Sequence, residues 1–238
     1  MRIEAASPEE LLKALKGSGQ SVPYRGCGRD KTHTEAWSTS RLLASIARTD
    51  LLEYPLACDT ATNKPDLKLY LPGRSIGIEI TEMVPENYAQ AVAIANREFD
   101  VAFIEPGLFP WGAPKLTGAE IRAMLSRMQT EFTASPSVGD APAYEWATAV
   151  RDTLLTKLKK INFPEYMEFP DYWLATYDNL PLSGLNRKIA ANLARPLIDA
   201  LPSFPRKFSW LLVESGSTLI CLGVGHPTVM HLPLKEPS

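Results

Sequence analysis

Asp66 and Glu79 are the residues most suited to chemistry by type and spacing. Asp66 follows Pro65 at the start of an alternating segment. Glu79 lies thirteen positions later in a second such segment, with Pro72-Gly73-Arg74 between them. If the two segments pair as a hairpin, the two carboxylates come side by side. Mg²⁺ takes oxygen ligands at about 2.0–2.1 Å, and two carboxylates plus a neighbouring backbone carbonyl supply them. A cation held there lowers the pKa of bound water and neutralises charge on a phosphoryl group. The plainer alternative is that Asp66 caps a turn and Glu79 belongs to a solvated strand face. Other routes to catalysis have little support. No serine sits in a G-x-S-x-G elbow, and Gly17-Ser18-Gly19 and Ser215-Gly216-Ser217 lack the Lys-Ser/Thr ending of a phosphate loop. Cys27, Cys58 and Cys221 form no CxxC pair, which argues against a structural zinc site and a disulfide framework.

The elements that must position these acids follow from periodicity. Leu67, Leu69 and Leu71 alternate with polar positions, and Ile76, Ile78 and Ile80 alternate with Gly77, Glu79 and Thr81, predicting two strands. Upstream, Ser7-Pro8-Glu9-Glu10 starts a short helix ending near Gly17, with a glycine-rich loop to Asp30. A second helix is expected from about His33 to Leu52, with Glu35 on the inward stripe of Leu42, Leu43 and Ile46. Downstream, helices are expected from Pro85 to about Glu98 and, behind a Thr117/Glu120 capping box, to about Met128. Val101 to Ile104 reads as a short strand and Pro106 to Lys115 as a loop. A longer helix, about Pro142 to Ile161, carries Ala147, Val150, Leu154 and Ile161 on one stripe, and Lys157 falls on that stripe. Tyr172 to Tyr177 reads as a strand, Arg187 to Leu201 as a helix, and Lys207 to Glu214 with Thr218 to Leu222 as a closing strand pair. This order predicts one α/β domain over residues 1–238 with a mixed central sheet flanked by helices.

Lys64-Pro65-Asp66, then ten intervening residues, then Gly77-Ile78-Glu79-Ile80-Thr81, resembles the active-site signature of the PD-(D/E)XK, or restriction-endonuclease-like, phosphodiesterase superfamily. The match is to a motif in a hairpin, not to the whole chain. The resemblance implies a core over about 33–178, a helical insertion over 85–140, and a C-terminal helix plus strand pair over 187–222. It implies a Mg²⁺ or Mn²⁺ ion held by Asp66, Glu79 and the Ile80 carbonyl. Glu35 would join that shell, since a glutamate near the start of the first core helix often does so in the superfamily. It also implies water attack on a phosphodiester. The superfamily pattern puts a lysine two residues after the glutamate, where this chain has Thr81. Either the site is inert or the cation comes from elsewhere, and Lys157 on the long helix is the candidate. Arg151, Lys159 and Lys160 on that helix could instead form a basic face toward a phosphate backbone.

Composition narrows the classes. The chain has 45% hydrophobic and 22% charged residues, enough for a sizeable core, and 20 prolines spread through loop-like contexts. Lys+Arg number 25 against 27 Asp+Glu, a net charge of −2, so any polyanion site must be a local patch. No long apolar run or signal-like N-terminus is present, and a cytoplasmic protein that does not enter membranes is expected. The resulting expectation is a metal-dependent nuclease, with DNA preferred over RNA as partner and a dimer among the possible assemblies. The alternative is a catalytically silent relative that binds nucleic acid or a protein. A third reading makes the proline-rich loop from Phe109 to Pro114 a docking segment.

Overall fold

The computed structural model describes residues 2–16, 31–60, 64–99, 104–130 and 139–235. Its elements are β1 (Arg2–Ala5), α1 (Pro8–Lys16), α2 (Lys31–Ile46), β2 (Leu56–Asp59), β3 (Leu67–Leu71), β4 (Arg74–Met83), α3 (Glu86–Glu98), a 3-10 turn (Pro106–Leu108), α4 (Gly118–Thr130), α5 (Ala141–Ile161), β5 (Asp171–Asp178), α6 (Arg187–Asp199), β6 (Phe208–Ser215), β7 (Thr218–Gly223) and β8 (Val229–Pro233). The eight strands form one mixed sheet whose spatial order follows the chain. The β4–β5 and β5–β6 pairs are parallel and all others antiparallel. Each parallel step needs a long crossover, and α5 and α6 supply the two.

Strand alternation divides the core in two. Ile76, Ile78 and Ile80 of β4 pack with Trp173, Ala175 and Leu212 under α1 and α2, through Leu11, Leu15, Leu42, Leu43 and Ile46. On the opposite face, Tyr172, Leu174, Leu211 and Val213 pack under α5 and α6, through Ala147, Val150, Leu154, Ile161, Ala190, Ala194 and Ile198. The α5 stripe expected from the sequence is therefore the buried one. Helices α3 and α4 pack on each other through Ala91, Ile94, Ile121 and Leu125. The Thr117/Glu120 capping box forms, Thr117 N–H donating to Glu120 Oε2 at 2.7 Å and Glu120 N–H to Thr117 Oγ1 at 3.3 Å, and at the start of α1 the Glu10 N–H donates to the Ser7 Oγ cap at 3.3 Å.

Several elements differ from the sequence reading. β1 and β2, each four residues long, were not expected, because four residues carry too little alternation to stand out. The closing strand pair, Lys207 to Glu214 with Thr218 to Leu222, is instead part of a three-strand meander, since β8 pairs with β7 through Ile220 and His231. Its half-exposed residues on a sheet edge show no apolar period. The helix expected to reach Leu52 ends at Ile46, where Thr49 turns back, its Oγ1 donating to the Ile46 carbonyl at 2.8 Å. The loop over 17–30 and most of the Val101 to Ile104 strand lie outside the described residues.

The β3–β4 hairpin closes through Pro72-Gly73, with Leu71 opposite Arg74 and Leu67 opposite Ile78. Gly73 has φ +74, the left-handed conformation that glycine adopts without a Cβ penalty. Gly77 serves a different need. A Cβ there would lie 2.9 Å from Pro65 Cγ and 3.2 Å from the Phe169 and Tyr172 rings. Its absence lets Pro65, and with it Asp66, lie close against β4.

A buried carboxylate and two lysines at the end of the β3–β4 ladder

The ladder between β3 and β4 stops at Leu67 and Ile78. One residue beyond it on each strand stand Asp66 and Glu79. Asp66 does not continue the backbone pairing: its Oδ2 accepts the Ile80 N–H at 2.8 Å. In an extended strand a residue's N–H and C=O point to the same side, so the Ile80 carbonyl also faces the Asp66 edge. Continuing the register by one hydrogen-bonded pair would put Pro65 opposite Ile80, and proline has no N–H to give that carbonyl. The proline therefore interrupts the ladder where the acids meet.

Glu79 faces α5, because its neighbours Ile78 and Ile80 face α2. Its side chain is 0% exposed. Lys157 Nζ donates to Glu79 Oε2 at 3.2 Å, and Lys160 Nζ donates to the same oxygen at 2.5 Å. The Tyr166 hydroxyl donates to Oε1. The lysine side chains are 15% and 23% exposed, whereas the carboxylate they meet is 0% exposed. A charge this deep is stable only when paired and hydrogen-bonded, and three donors meet that condition.

The electrostatics follow from the geometry. Burial works to raise the Glu79 pKa, but Lys157, Lys160 and the Tyr166 hydrogen bond outweigh it and hold the carboxyl below its ordinary value of 4.5. Burial lowers the Lys157 pKa below 10.5; attraction to Glu79 opposes this, and the nearby Lys160 charge adds to it. Tyr166 is pushed well above 10 by burial and by its bond to Glu79, so it remains a hydroxyl donor.

The α5–β5 connection is fixed from the far end of the chain. The Arg206 guanidinium donates to the carbonyls of Ile161, Phe163 and Tyr166 at 2.8, 3.3 and 3.1 Å. Asn162 and the Arg206 backbone exchange two further bonds, at 2.9 and 3.0 Å. Lys160, at the end of α5, and Tyr166, on the loop after it, are thus presented to Glu79 on a clamped turn.

Of the residues singled out by sequence, the structure brings Asp66, Glu79, Ile80 and Lys157 to one place. It does not bring Glu35 there. α2 packs on the face opposite Glu79, and Glu35 belongs to its N-terminal turns with Trp37, whose ring meets Tyr177 edge-on at 5.0 Å. Arg41, further along this helix, lies 4.2 Å over the Trp37 ring and 3.9 Å from the buried Glu214. Arg151 pairs with Asp152 at 2.6 Å, and Lys159 is exposed. Trp111 anchors its loop to α5, with Nε1 donating to Asp152 at 3.1 Å. Sequence reasoning missed two members of the site. Lys160 was assigned to a basic outer face, although its three-residue spacing from Lys157 places both on neighbouring helix positions. Tyr166 carried no signal.

Hard oxygen donors are what a magnesium-type cation takes, and Asp66, Glu79 and the Ile80 carbonyl match it in kind. Among the described residues no group of three or more His, Cys, Asp or Glu side chains is arranged to hold a metal ion. Here both ammoniums meet Glu79, and the Asp66 charge also acts on Lys157. Among the described residues no helix is long and apolar enough to cross a membrane. No protein-family model matches the chain, and no curated protein or solved structure shows significant similarity to it.

Proposed function

We propose that the chain is a metal-dependent nucleic-acid phosphodiesterase with a restriction-endonuclease-like core, in which the motif lysine has moved from the strand to the crossover helix. The observation that carries this reading is the convergence of Lys157 and Lys160 on Glu79, one residue beyond the ladder end where Asp66 faces the same strand. Thr81 lacks a cation, and α5 delivers two to the carboxylate that the motif singles out.

Asp66, Glu79 and the Ile80 carbonyl would hold a Mg²⁺ or Mn²⁺ ion. When bound, the ion supplies an activated water and neutralises charge on the phosphoryl oxygens. The chain's own residues do the rest. Lys157 and Lys160 meet the phosphodiester and stabilise the negative charge that grows as water adds to phosphorus and the P–O ester bond breaks. Tyr166 holds Glu79 in place through Oε1, and the Arg206 clamp holds Tyr166. Glu35 is not assigned a role in this reading, because α2, which carries it, packs on the sheet face of Ile78 and Ile80.

Purified chain should cleave single-stranded or duplex oligodeoxynucleotides in Mg²⁺ or Mn²⁺ and lose that activity in EDTA, read on a denaturing gel with RNA in parallel. A catalytically silent relative is the competing reading, and Thr81 in the place of the motif lysine favours it. That reading expects binding without cleavage under every cation tested, and such a result would refute the hydrolase.

A further inference from the structure

Glu79 is closed to solvent while its two lysine partners are not. Part of each lysine side chain reaches solvent, and none of the Glu79 side chain does. Both ammoniums share Oε2, while Tyr166 occupies Oε1. A dication brought to Oε2 in this state would sit against two positive charges in a poorly solvated place, where like-charge repulsion is strong. A backbone phosphate offers the ammoniums another anion, and lysine stems are long enough to turn toward it. The carboxylate need not turn at all, because Tyr166 pins it through the other oxygen.

We propose that Lys157 and Lys160 form a charge-exchange gate, so that metal binding at Asp66 and Glu79 is conditional on nucleic acid. The proposal rests on the phosphodiesterase reading and specifies its regulation. A phosphate draws the ammoniums off Glu79 Oε2, the dication replaces them, and the total charge of the cluster changes little. Thermodynamic linkage then requires reciprocity: the nucleic acid tightens metal binding by the same factor as the metal tightens nucleic-acid binding. Such a gate keeps the site from holding a metal-activated water when no substrate is present.

The test is isothermal titration calorimetry of the full chain with Mg²⁺, alone and saturated with a short phosphorothioate-linked oligodeoxynucleotide, and the converse titration of oligonucleotide with and without Mg²⁺. The expected result is tightening of about 10-fold or more in both directions, within the usual range of coupling between sites. Lys160→Gln, which removes one ammonium from Oε2, should bind Mg²⁺ more tightly than wild type without oligonucleotide and show a smaller coupling factor. Lys160→Arg, which keeps the charge, should retain the coupling and guards against a mere folding defect in Lys160→Gln. Mg²⁺ binding of equal strength with and without oligonucleotide overturns the gate and leaves the phosphodiesterase reading standing. No Mg²⁺ binding even with oligonucleotide bound overturns both.

Discussion

Glu79→Gln should destabilise the chain by about 3 kcal/mol at neutral pH, measured by chemical denaturation. Removing one member of a buried pair leaves its partners uncompensated, at a typical cost of about 3–5 kcal/mol, and the partial exposure of both lysines puts this case at the low end. The pH dependence has a definite sign. Because the folded-state pKa of Glu79 lies below 4.5, its contribution is fully present above that value and is lost as pH falls through the lower, folded one. In Glu79→Gln that acid limb should flatten. Lys157 acts at the other end. Its folded pKa is lowered below 10.5, so between the two values the unfolded chain binds more protons and stability rises with pH. Without the Glu79 charge the Lys157 value drops further, and the rise should begin at a lower pH and grow larger. Tyr166, raised in the folded state, opposes this above pH 10, where the unfolded chain ionises first. A variant as stable as wild type across the pH range would mean that the cluster contributes nothing to the fold.

Lys157→Ala should reduce cleavage by about 10²- to 10³-fold, the usual effect of losing one preorganised charge-stabilising donor. The loss should appear in the single-turnover rate with oligonucleotide saturating, since the group is assigned to the transition state and not to binding alone. Thr81→Lys in the same background should restore part of the rate. Position 81 shares the strand face of Glu79 and lies about 7 Å along the strand from it, so a lysine there would stand where the superfamily motif places one. Unchanged cleavage in Lys157→Ala would transfer the charge-stabilising role to Lys160 alone.

How much of this arrangement could be read in advance differs from residue to residue. The β3–β4 hairpin was legible because alternation and a Pro-Gly turn are local signals, and with them came the juxtaposition of Asp66 and Glu79. The α5 stripe was legible from its helical period, and it placed Lys157 on the buried side of the helix, where an ammonium needs an anion. Glu35 shows the limit of such reasoning. Its spacing to Leu42 and Ile46 correctly ties it to an inward-facing helix, but periodicity cannot tell which face of a sheet the helix covers. Whether α2 packs over Ile78 and Ile80 or over Glu79 is decided by the whole sheet. Lys160 escaped for a related reason: a long, flexible side chain reaches a buried anion from the edge of the stripe, so helical position alone mislabels it. Tyr166 lies in the α5–β5 connection, and its direction depends on Arg206, forty residues later, which no local pattern reports. The short strands β1, β2 and β8 were invisible because their stability comes from neighbours in the sheet and not from their own few residues.

Asp66→Asn tests the central claim most directly. The substitution removes one negative charge and little else, since an asparagine oxygen can still accept the Ile80 N–H that Asp66 Oδ2 now holds at 2.8 Å. The measurement is single-turnover cleavage of a labelled oligodeoxynucleotide in Mg²⁺ by wild type and variant, with melting temperatures recorded on the same samples. The account predicts a rate loss of about 10²-fold or more in a variant that melts within a few degrees of wild type. Cleavage at the wild-type rate by well-folded Asp66→Asn would contradict it.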